Sequence, residues 1–246
     1  MMCFKRITLL IFCYLVVACS TTPTSMQKVS ETTFQYDRVV KEDVATPLEI
    51  WDPFETFNRA SYRFNARFDE YVYLPALSGY QYVTPDLVET GISNIFDNLD
   101  DIRTLLNQVL QIKLLDGLKT GARFITNSTI GLFGIFDVAS YFKMPKYDED
   151  FGQTLGFYGV SSGPYLVLPV MGPSSVRDGF GDLTDGMTVS SLLIKDHRDR
   201  QLVSYSLRFL DERGKTSFRY YQTGSPFEYE LVRLLYSTKR ELEVRK

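Results

Sequence analysis

Residues 159–186 read GVSSGPYLVLPVMGPSSVRDGFGDLTDG. The first half of this stretch is apolar, but glycine and proline interrupt it at Gly163, Pro164, Pro169, Gly172 and Pro173. It cannot form one helix or a central strand, because proline lacks the backbone N–H that both require. The second half places Asp178, Asp182 and Asp185 at i, i+4 and i+7, on one face of a predicted helix. The sequence therefore predicts an extended, bent arm that leads into a helix with an acidic stripe.

The N-terminus has the pattern of a lipoprotein signal. Lys5 and Arg6 precede an apolar run, and small residues lead up to Cys19. We predict that residues 1–18 are a signal peptide and that Cys19 becomes the acylated first residue of the mature chain, carrying fatty acids such as palmitate. Ser20 after the cysteine is typical of lipoproteins sorted to the outer membrane. An ordinary signal peptide with a chance cysteine is the alternative.

Composition narrows the possible functions. Cys3 and Cys13 leave with the signal, so acylation of Cys19 would leave no thiol for disulfides or for cysteine chemistry. Removing Lys5 and Arg6 from the 27 basic residues leaves 25 against 30 acidic ones, a formal charge of minus five. Nucleic acid is not expected as a partner, because its recognition needs a basic surface. No stretch after the signal reaches the 18 or so apolar residues of a spanning helix, so membrane contact would occur through the anchor and the interface.

Most of the chain carries the periodicity of amphipathic helices, and no convincing alternating strand series appears. An acid or hydroxyl residue followed by proline marks helix starts at Asp52-Pro53, Thr84-Pro85 and Ser225-Pro226. We expect the first helix to end at Pro75 and two further helices to meet at Asp100 and Asp101. The apolar residues 130–142 predict a core or half-inserted helix. The fold class is all-α, in one domain.

A hydrolase motif is present but poorly supported. Gly159-Val160-Ser161-Ser162-Gly163 matches the G-x-S-x-G pattern, with acids downstream and the single histidine, His197, after them. A nucleophile elbow needs a buried strand before the serine and a helix after it, whereas Pro164 disfavours helix at Gly163. His197 lies in KDHRDR, a sequence typical of a solvated turn. A Ser161 lipase or esterase is therefore a remote alternative, and we expect neither a cofactor nor a metal site.

Several blocks, taken together and in order, resemble the MlaA/VacJ family of outer-membrane lipoproteins. They are Asp52-Pro53-Phe54-Glu55, Phe57-Asn58-Arg59, Phe64-Asn65, Val83-Thr84-Pro85, Asn127-Ser128, Phe151-Gly152-Gln153-Thr154, Gly163-Pro164-Tyr165 and Gly172-Pro173-Ser174. The resemblance covers about residues 51–186, and the tail after about Leu193 departs from it. It implies a helical lipid-channel domain over residues 51–195. The Ser-, Thr- and Val-rich composition of residues 19–50 predicts a tether, and the pattern of residues 196–246 predicts a helical extension packed on or next to the domain.

The resemblance also implies a function that is not enzymatic. Such proteins are helical rings that lie in the outer membrane, bound to porin trimers, with a hinged extended arm and a central polar channel. Misplaced outer-leaflet phospholipid passes through the channel to a periplasmic carrier and on to an inner-membrane ABC transporter. A scaffold lipoprotein bound to a porin is the alternative.

The resemblance assigns roles to three groups of residues. The channel wall would comprise Asp178, Asp182, Asp185 and Arg177, the hinge Gly159, Gly163, Pro164 and Gly172, and the ring support Phe57, Asn58, Phe64 and Asn65. The periodicity alone leaves other interpretations open. The aspartates could lie on a solvated helix face, the phenylalanines could pack in a core, and Arg177 could be a structural counter-ion of the acids.

Overall fold

The computed structural model describes residues 50–193 and 198–246. The signal peptide, Cys19, His197 and the tether up to residue 49 lie outside the described residues. Within the described ranges the elements are α1 (Glu55–Phe68), a π-helical turn (Asp69–Tyr73), α2 (Leu74–Val83), α3 (Asp86–Leu110), α4 (Leu114–Thr129), α5 (Val138–Tyr141), α6 (Phe151–Phe157), β1 (Tyr165–Leu168), β2 (Gly172–Ser175), α7 (Val176–Leu193), α8 (Arg198–Lys215) and α9 (Glu228–Val244). The prediction of an all-α fold is confirmed, with one small hairpin among the described residues.

The first helical segment continues beyond its predicted end. Pro75 lies in the first turn of α2, and the π-helical turn joins α1 to α2 without a break. A π turn widens the hydrogen-bond spacing locally, so the chain passes the proline without losing its helical course. The predicted stop at Pro75 is therefore wrong. Asp52 does not cap α1 either, because its carboxylate accepts hydrogen bonds from Asn58, Tyr229 and Arg233 instead.

The two helices predicted to meet at Asp100 and Asp101 are one helix, α3. Asp101 is buried against Arg123 of α4, with 3.4 Å between the carboxylate and Nε, and Asp100 pairs with Arg208 of α8. Both acids thus form ion pairs with other helices, and neither lies at the start of a helix. The short link between α3 and α4 makes them antiparallel neighbours.

Residues 130–142 do not form the predicted helix. Leu132, Phe133 and Gly134 have positive φ angles, and only α5 is helical. A Cβ on Gly131 would lie 2.2 Å from the carbonyl oxygen of Phe136, so the chain folds back on itself there. Asp137 then caps α5 by accepting a hydrogen bond from the Ser140 amide. The apolar side chains of this loop are exposed, as at Phe133.

The predicted bent arm is a hairpin. β1 and β2 pair antiparallel, with Tyr165 opposite Ser175 and Leu168 opposite Gly172. Pro169 lies in the turn and Pro173 in an edge strand, positions where a missing N–H costs little. The helix predicted after the arm is confirmed as α7.

Helices α1, α7 and α9 pack on this hairpin. α1 packs on β1, α9 packs on β2 and α6, and α8 lies against α2 and α3. The buried apolar cluster is small and aromatic, built from Tyr62, Tyr165, Val167 and Tyr229. Most other buried side chains are polar, among them Asn58, Asn65, Thr104, Asn107, Gln108, Thr120, Arg123 and Gln153. The interior of this molecule is therefore unusually polar.

Candidate functional site

A cavity of about 890 Å³ lies between the hairpin and the surrounding helices. The π-helical turn, α3, α7, α8 and α9 all contribute to its wall. The apolar part of the wall includes Phe68, Tyr73, Phe96, Leu168, Val170, Met171, Val189, Phe209 and Leu235. The charged part includes Asp182, Asp185, Arg103, Arg208 and Arg213. The site therefore offers apolar contact and charge within one space.

The acidic helix α7 is held next to α6 by two glycines. A Cβ on Gly181 would lie 2.4 Å from the backbone nitrogen of Gly152, so only glycine allows this approach. The close packing brings the N-terminus of α6 to α7. The amide of Phe151 donates to Asp185 Oδ2 at 2.8 Å, and Asn107 of α3 donates to Oδ1 at 3.1 Å. Asp185 is thus fixed between three helices at the edge of the cavity.

Asp182 has no such partners. It lines the cavity, and among the described residues no hydrogen bond or ion pair reaches its carboxylate. The residue is exposed, but the walls of the cavity partly desolvate its carboxylate. This burial, together with the nearby charge of Asp150, raises the pKa of Asp182 to about 6.

Asp178 and Arg177 lie elsewhere. Asp178 is buried under α9, where Tyr236 donates to it at 2.8 Å and Arg240 at 2.9 Å. Arg177 also contacts Asp178, at 3.0 Å, and donates to the carbonyl of Val160. The predicted channel wall is therefore divided: Asp182 and Asp185 border the large cavity, whereas Asp178 and Arg177 belong to a structural ion cluster. Arg177 is the counter-ion of this acid.

Arg240 joins this cluster to α6. It also holds Asp150 through two hydrogen bonds, of 2.7 and 2.9 Å. Burial alone would raise the pKa of Asp150, but these bonds lower it to about 2. Ion pairs of Arg240 thus hold α9 to α7 and to the start of α6. Residues after 196 therefore take part in building the site.

The remaining charges on the cavity wall come from the π-helical turn, α3, α8 and, through Lys239, α9. Arg213 binds Asp69 through two nitrogens, at 2.5 and 2.7 Å, which fixes the π-helical turn. Arg208 donates to Asp100 at 2.6 Å and to Glu212 at 2.9 Å. These pairs hold α8 to the rest of the wall.

The hairpin borders the cavity and is held by α1. Asn58 donates to the carbonyl of Tyr165 at 2.9 Å and accepts from the amide of Val167 at 2.8 Å. Asn65 repeats this pattern two turns later, donating to Leu168 at 2.9 Å and accepting from Val170 at 2.7 Å. Two carboxamides thereby replace the neighbouring strand that β1 lacks on this side.

A family model described as MlaA lipoprotein matches residues 50–243. The chain belongs to the MlaA lipoprotein family.

Individual relatives agree with this assignment. The chain is 37% identical to the intermembrane phospholipid transport system lipoprotein MlaA of Escherichia coli strain K12. The aligned 140 residues cover 55% of each chain. It is 32% identical to the protein of the same name from Haemophilus influenzae, over 67% of each chain. A Rickettsia felis protein is 34% identical over 68% of this chain and 66% of its own length. The chain thus spans between about half and two thirds of these relatives.

A solved structure extends the likeness to the fold. It comes from work on the structural basis for maintenance of bacterial outer membrane lipid asymmetry, and it superimposes with a TM-score of 0.65 at 27% identity. The match covers 79% of this chain and all of that one. The helical framework described above is therefore the framework of an MlaA-like protein.

The residues predicted as hinge and ring support in this family member can be placed. Gly159, Gly163 and Gly172 all have positive φ angles, 86°, 67° and 90°, which suit glycine at bends on both sides of β1. Pro164 directly precedes β1. Asn58 and Asn65 are buried as described, but Phe57 and Phe64 are exposed on α1 and do not pack in a core.

Large apolar side chains cover much of the exterior. Exposed examples are Trp51, Phe57, Tyr71, Tyr82, Leu118, Phe133 and Tyr141. No helix in residues 50–193 and 198–246 is both long and apolar enough to cross a membrane. Together with the polar interior, this surface gives the described part of this MlaA-family chain an inverted distribution of polarity.

The surroundings of Ser161 do not have the geometry of a hydrolase nucleophile. Ser161 lies in an exposed irregular segment, and its hydroxyl oxygen accepts only a 3.4 Å contact from the amide of Gly163. The segment before it is a turn and not a buried strand. Within the ranges described, no group of His, Cys, Asp and Glu side chains is suited to a metal ion.

Sequence reasoning missed Arg103, Arg208 and Arg240. Arg103 is the only basic residue of α3, and this isolation was the one available signal. The other two are on α8 and α9, which lie beyond the part of the chain that carried the resemblance. Their tertiary partners Asp100, Asp150 and Asp178 are about 60 to 110 residues away in sequence, so local periodicity could not pair them.

Proposed function

We propose that this protein is an outer-membrane lipoprotein that removes mislocalised phospholipid from the outer leaflet. Phospholipid enters the central cavity and leaves to a periplasmic carrier, which passes it to an inner-membrane ABC transport pathway. Cys19 carries the lipid anchor at the periplasmic face, and the helical body lies in the bilayer. The names of the curated relatives, which refer to intermembrane phospholipid transport, support this role.

The main support for the proposal is that many polar side chains are buried and many large apolar side chains are exposed in a molecule that contains a cavity. Moving a two-chain lipid into water exposes roughly thirty methylenes at about 0.8 kcal/mol each, or about 25 kcal/mol. Moving its charged headgroup through hydrocarbon is also costly. A cavity with charged groups on a largely apolar wall, inside an apolar exterior, eases both problems. The headgroup can cross next to the charged groups while the tails stay next to apolar surface.

The size of the cavity fits this use. About 890 Å³ is within the range of about 300–1,000 Å³ typical of small-molecule sites. Asp182 and Asp185 keep the wall hydrated, and the hairpin residues Leu168, Val170 and Met171 give it an apolar side. The glycines at the bends would let the hairpin move relative to α7.

The test is a variant that fills the cavity. Val189 lies on its wall, so Val189→Trp places an indole where the headgroup would pass. We expect surface phospholipid, labelled with an amine reagent that does not cross the membrane, to rise several-fold, to the level of cells that lack the protein. Val109→Trp is the matched control, because Val109 is exposed and does not line the cavity.

Normal lipid asymmetry with Val189→Trp present in the outer membrane at its usual amount would contradict the conduit. The apolar exterior also fits a partner surface, so a scaffold bound to a porin is the second candidate. It would be favoured if filling the cavity left asymmetry normal while charged substitutions on the exterior removed co-purifying porin.

A further inference from the structure

The acids on the cavity wall differ in what they contact. Asp69 accepts from Arg213, while Asp100 and Glu212 accept from Arg208. Asp185 accepts from two amide groups. Among the described residues on the wall, Asp182 alone has a carboxylate without a hydrogen bond or an ion pair.

An ionised carboxylate in this position is unfavourable without a counter-charge. Burial and the charge of Asp150 raise the pKa of Asp182 to about 6, although Arg240 and Arg103 oppose the shift. At neutral pH the Asp182 carboxyl group is therefore ionised in most protein molecules. A cation brought by a ligand would supply what the wall lacks.

A positive group lies within electrostatic reach of Asp182. Arg103 of α3 also lines the cavity, and its charge favours the ionised form of Asp182. One terminal nitrogen of Arg103 binds Asp148 at 2.6 Å, and no hydrogen bond among the described residues involves its other terminal nitrogen. The cavity wall therefore contains an unpaired carboxylate on α7 and, on α3, a guanidinium that can donate a further hydrogen bond.

We propose that the cavity selects a zwitterionic headgroup in which a primary ammonium follows a phosphodiester, as in phosphatidylethanolamine. Asp182 accepts hydrogen bonds from the ammonium, and Arg103 donates to the phosphate. The inference rests on the proposed function and adds its headgroup preference. A glycerol headgroup brings the phosphate but no cation, so Asp182 stays unpaired and repels it. A choline headgroup has no N–H to donate.

The test compares two lipids that differ only in the headgroup. Full-length acylated protein in detergent is incubated with equal amounts of phosphatidylethanolamine and phosphatidylglycerol with identical acyl chains, and the retained lipid is measured by mass spectrometry. We expect wild-type protein to retain the ethanolamine lipid at least fivefold over the glycerol lipid. Asp182→Asn should bring this ratio close to one, because the ammonium then loses its anionic partner and the glycerol lipid is no longer repelled.

Asp116→Asn is the matched control. Asp116 lies on α4 away from the cavity, so the ratio should remain that of wild type. Competition with glycerophosphoethanolamine, which has no acyl chains, distinguishes recognition of the headgroup alone from recognition within a lipid. Displacement of the ethanolamine lipid by this compound supports the headgroup contact.

Three outcomes would overturn the inference: equal retention of both lipids by wild type, an unchanged ratio in Asp182→Asn, or a preference that disappears when EDTA removes divalent cations. In the last case Asp182 would hold a metal ion and not an ammonium. Retention of no phospholipid by wild type would instead contradict the proposed transport function, so the two failures are distinguishable.

Discussion

Asp182 makes the folded state less stable when it is ionised. Its ordinary pKa of 3.8 rises to about 6 in the folded protein, so the native state binds the proton more tightly than the unfolded chain. Stability linked to this group therefore falls as pH rises between about 4 and 6, and the full cost is present above about pH 6. A residue that costs stability at neutral pH and lines a cavity is typical of a functional site.

Asp182→Asn should for this reason stabilise the protein at about pH 7.5. Because cavity water screens the charge, the gain is at most about 1 kcal/mol, or about 2–4 °C in the thermal midpoint for a chain of this size. At about pH 4 the gain should disappear, since Asp182 is then protonated. Thermal unfolding of both proteins in the same detergent, followed by circular dichroism at the two pH values, measures this.

Asp116→Asn is the control, because the pKa of Asp116 is shifted in the opposite direction to that of Asp182. Hydrogen bonds from Lys119 and Tyr147 lower the pKa of Asp116, so its charge is favourable and its loss should not stabilise. A midpoint for Asp182→Asn equal to or below that of wild type at about pH 7.5 would show that the Asp182 charge has a partner in the folded protein.

At the same scale, the sequence predicted part of the acidic stripe. Spacing alone put Asp178, Asp182 and Asp185 on one helix face, and all three do lie on α7. It could not show that Arg240, 62 residues later, would cover Asp178 and leave the other two at the cavity. A helical repeat defines a face, but the partner of that face depends on tertiary contacts.

At the scale of elements, the hairpin depends on α1. Asn65 satisfies a carbonyl and an amide at the turn of the hairpin, and loss of its carboxamide leaves both without this partner. Each unsatisfied backbone group costs about 1–3 kcal/mol when buried. The effect should be local, because Asn58 and the pairing between β1 and β2 remain.

Asn65→Ala is therefore expected to loosen the hairpin without unfolding the helices. Amide hydrogen exchange in residues 165–175 should become at least tenfold faster, while exchange in α3 and α4 stays unchanged. Asn94→Ala is the matched control, because Asn94 makes a comparable bond to the carbonyl of Ile135 at an exposed site away from the hairpin. Equal exchange in the hairpin of Asn65→Ala and wild type would show that α1 does not hold it.

Elements were predictable where the signals are local. The proline-linked starts predicted at Thr84-Pro85 and Ser225-Pro226 each lie just before an observed helix. The hairpin was missed because β1 is four residues long and is supported from the side by asparagines, which leaves no alternating pattern. The loop over residues 130–142 was misread because its apolar residues face outward, so their run did not indicate a core helix.

The distribution of polarity over the molecule is a feature that helical periodicity alone does not predict. Amphipathic periodicity identifies an apolar face but does not say whether that face points inward or outward. Here α1 turns Asn58 and Asn65 inward and Phe57 and Phe64 outward. The same sequence pattern in a water-soluble bundle would have the reverse arrangement, and only the assembled structure distinguishes the two.

An apolar exterior predicts membrane binding that does not depend on the acyl anchor. Phe133 and Tyr141 are each 84% exposed and lie close together along the chain, in the loop after α4 and in α5. Burying each side chain in lipid contributes about 1.5–3 kcal/mol. In a chain that begins at residue 20 and so carries no acyl group, Phe133→Asp with Tyr141→Asp should reduce the fraction bound to phospholipid vesicles at least tenfold, as measured by flotation.

The substitution at residue 133 is compatible with the fold, because aspartate tolerates the positive φ of 60° found there. Gln222→Asp is the control, since Gln222 is already polar and exposed and should not change flotation. Circular dichroism confirms that the variants keep their helices. If the doubly substituted chain floated with the vesicles as well as the parent chain, this part of the exterior would not be what contacts lipid, and other exposed apolar side chains would bind the membrane.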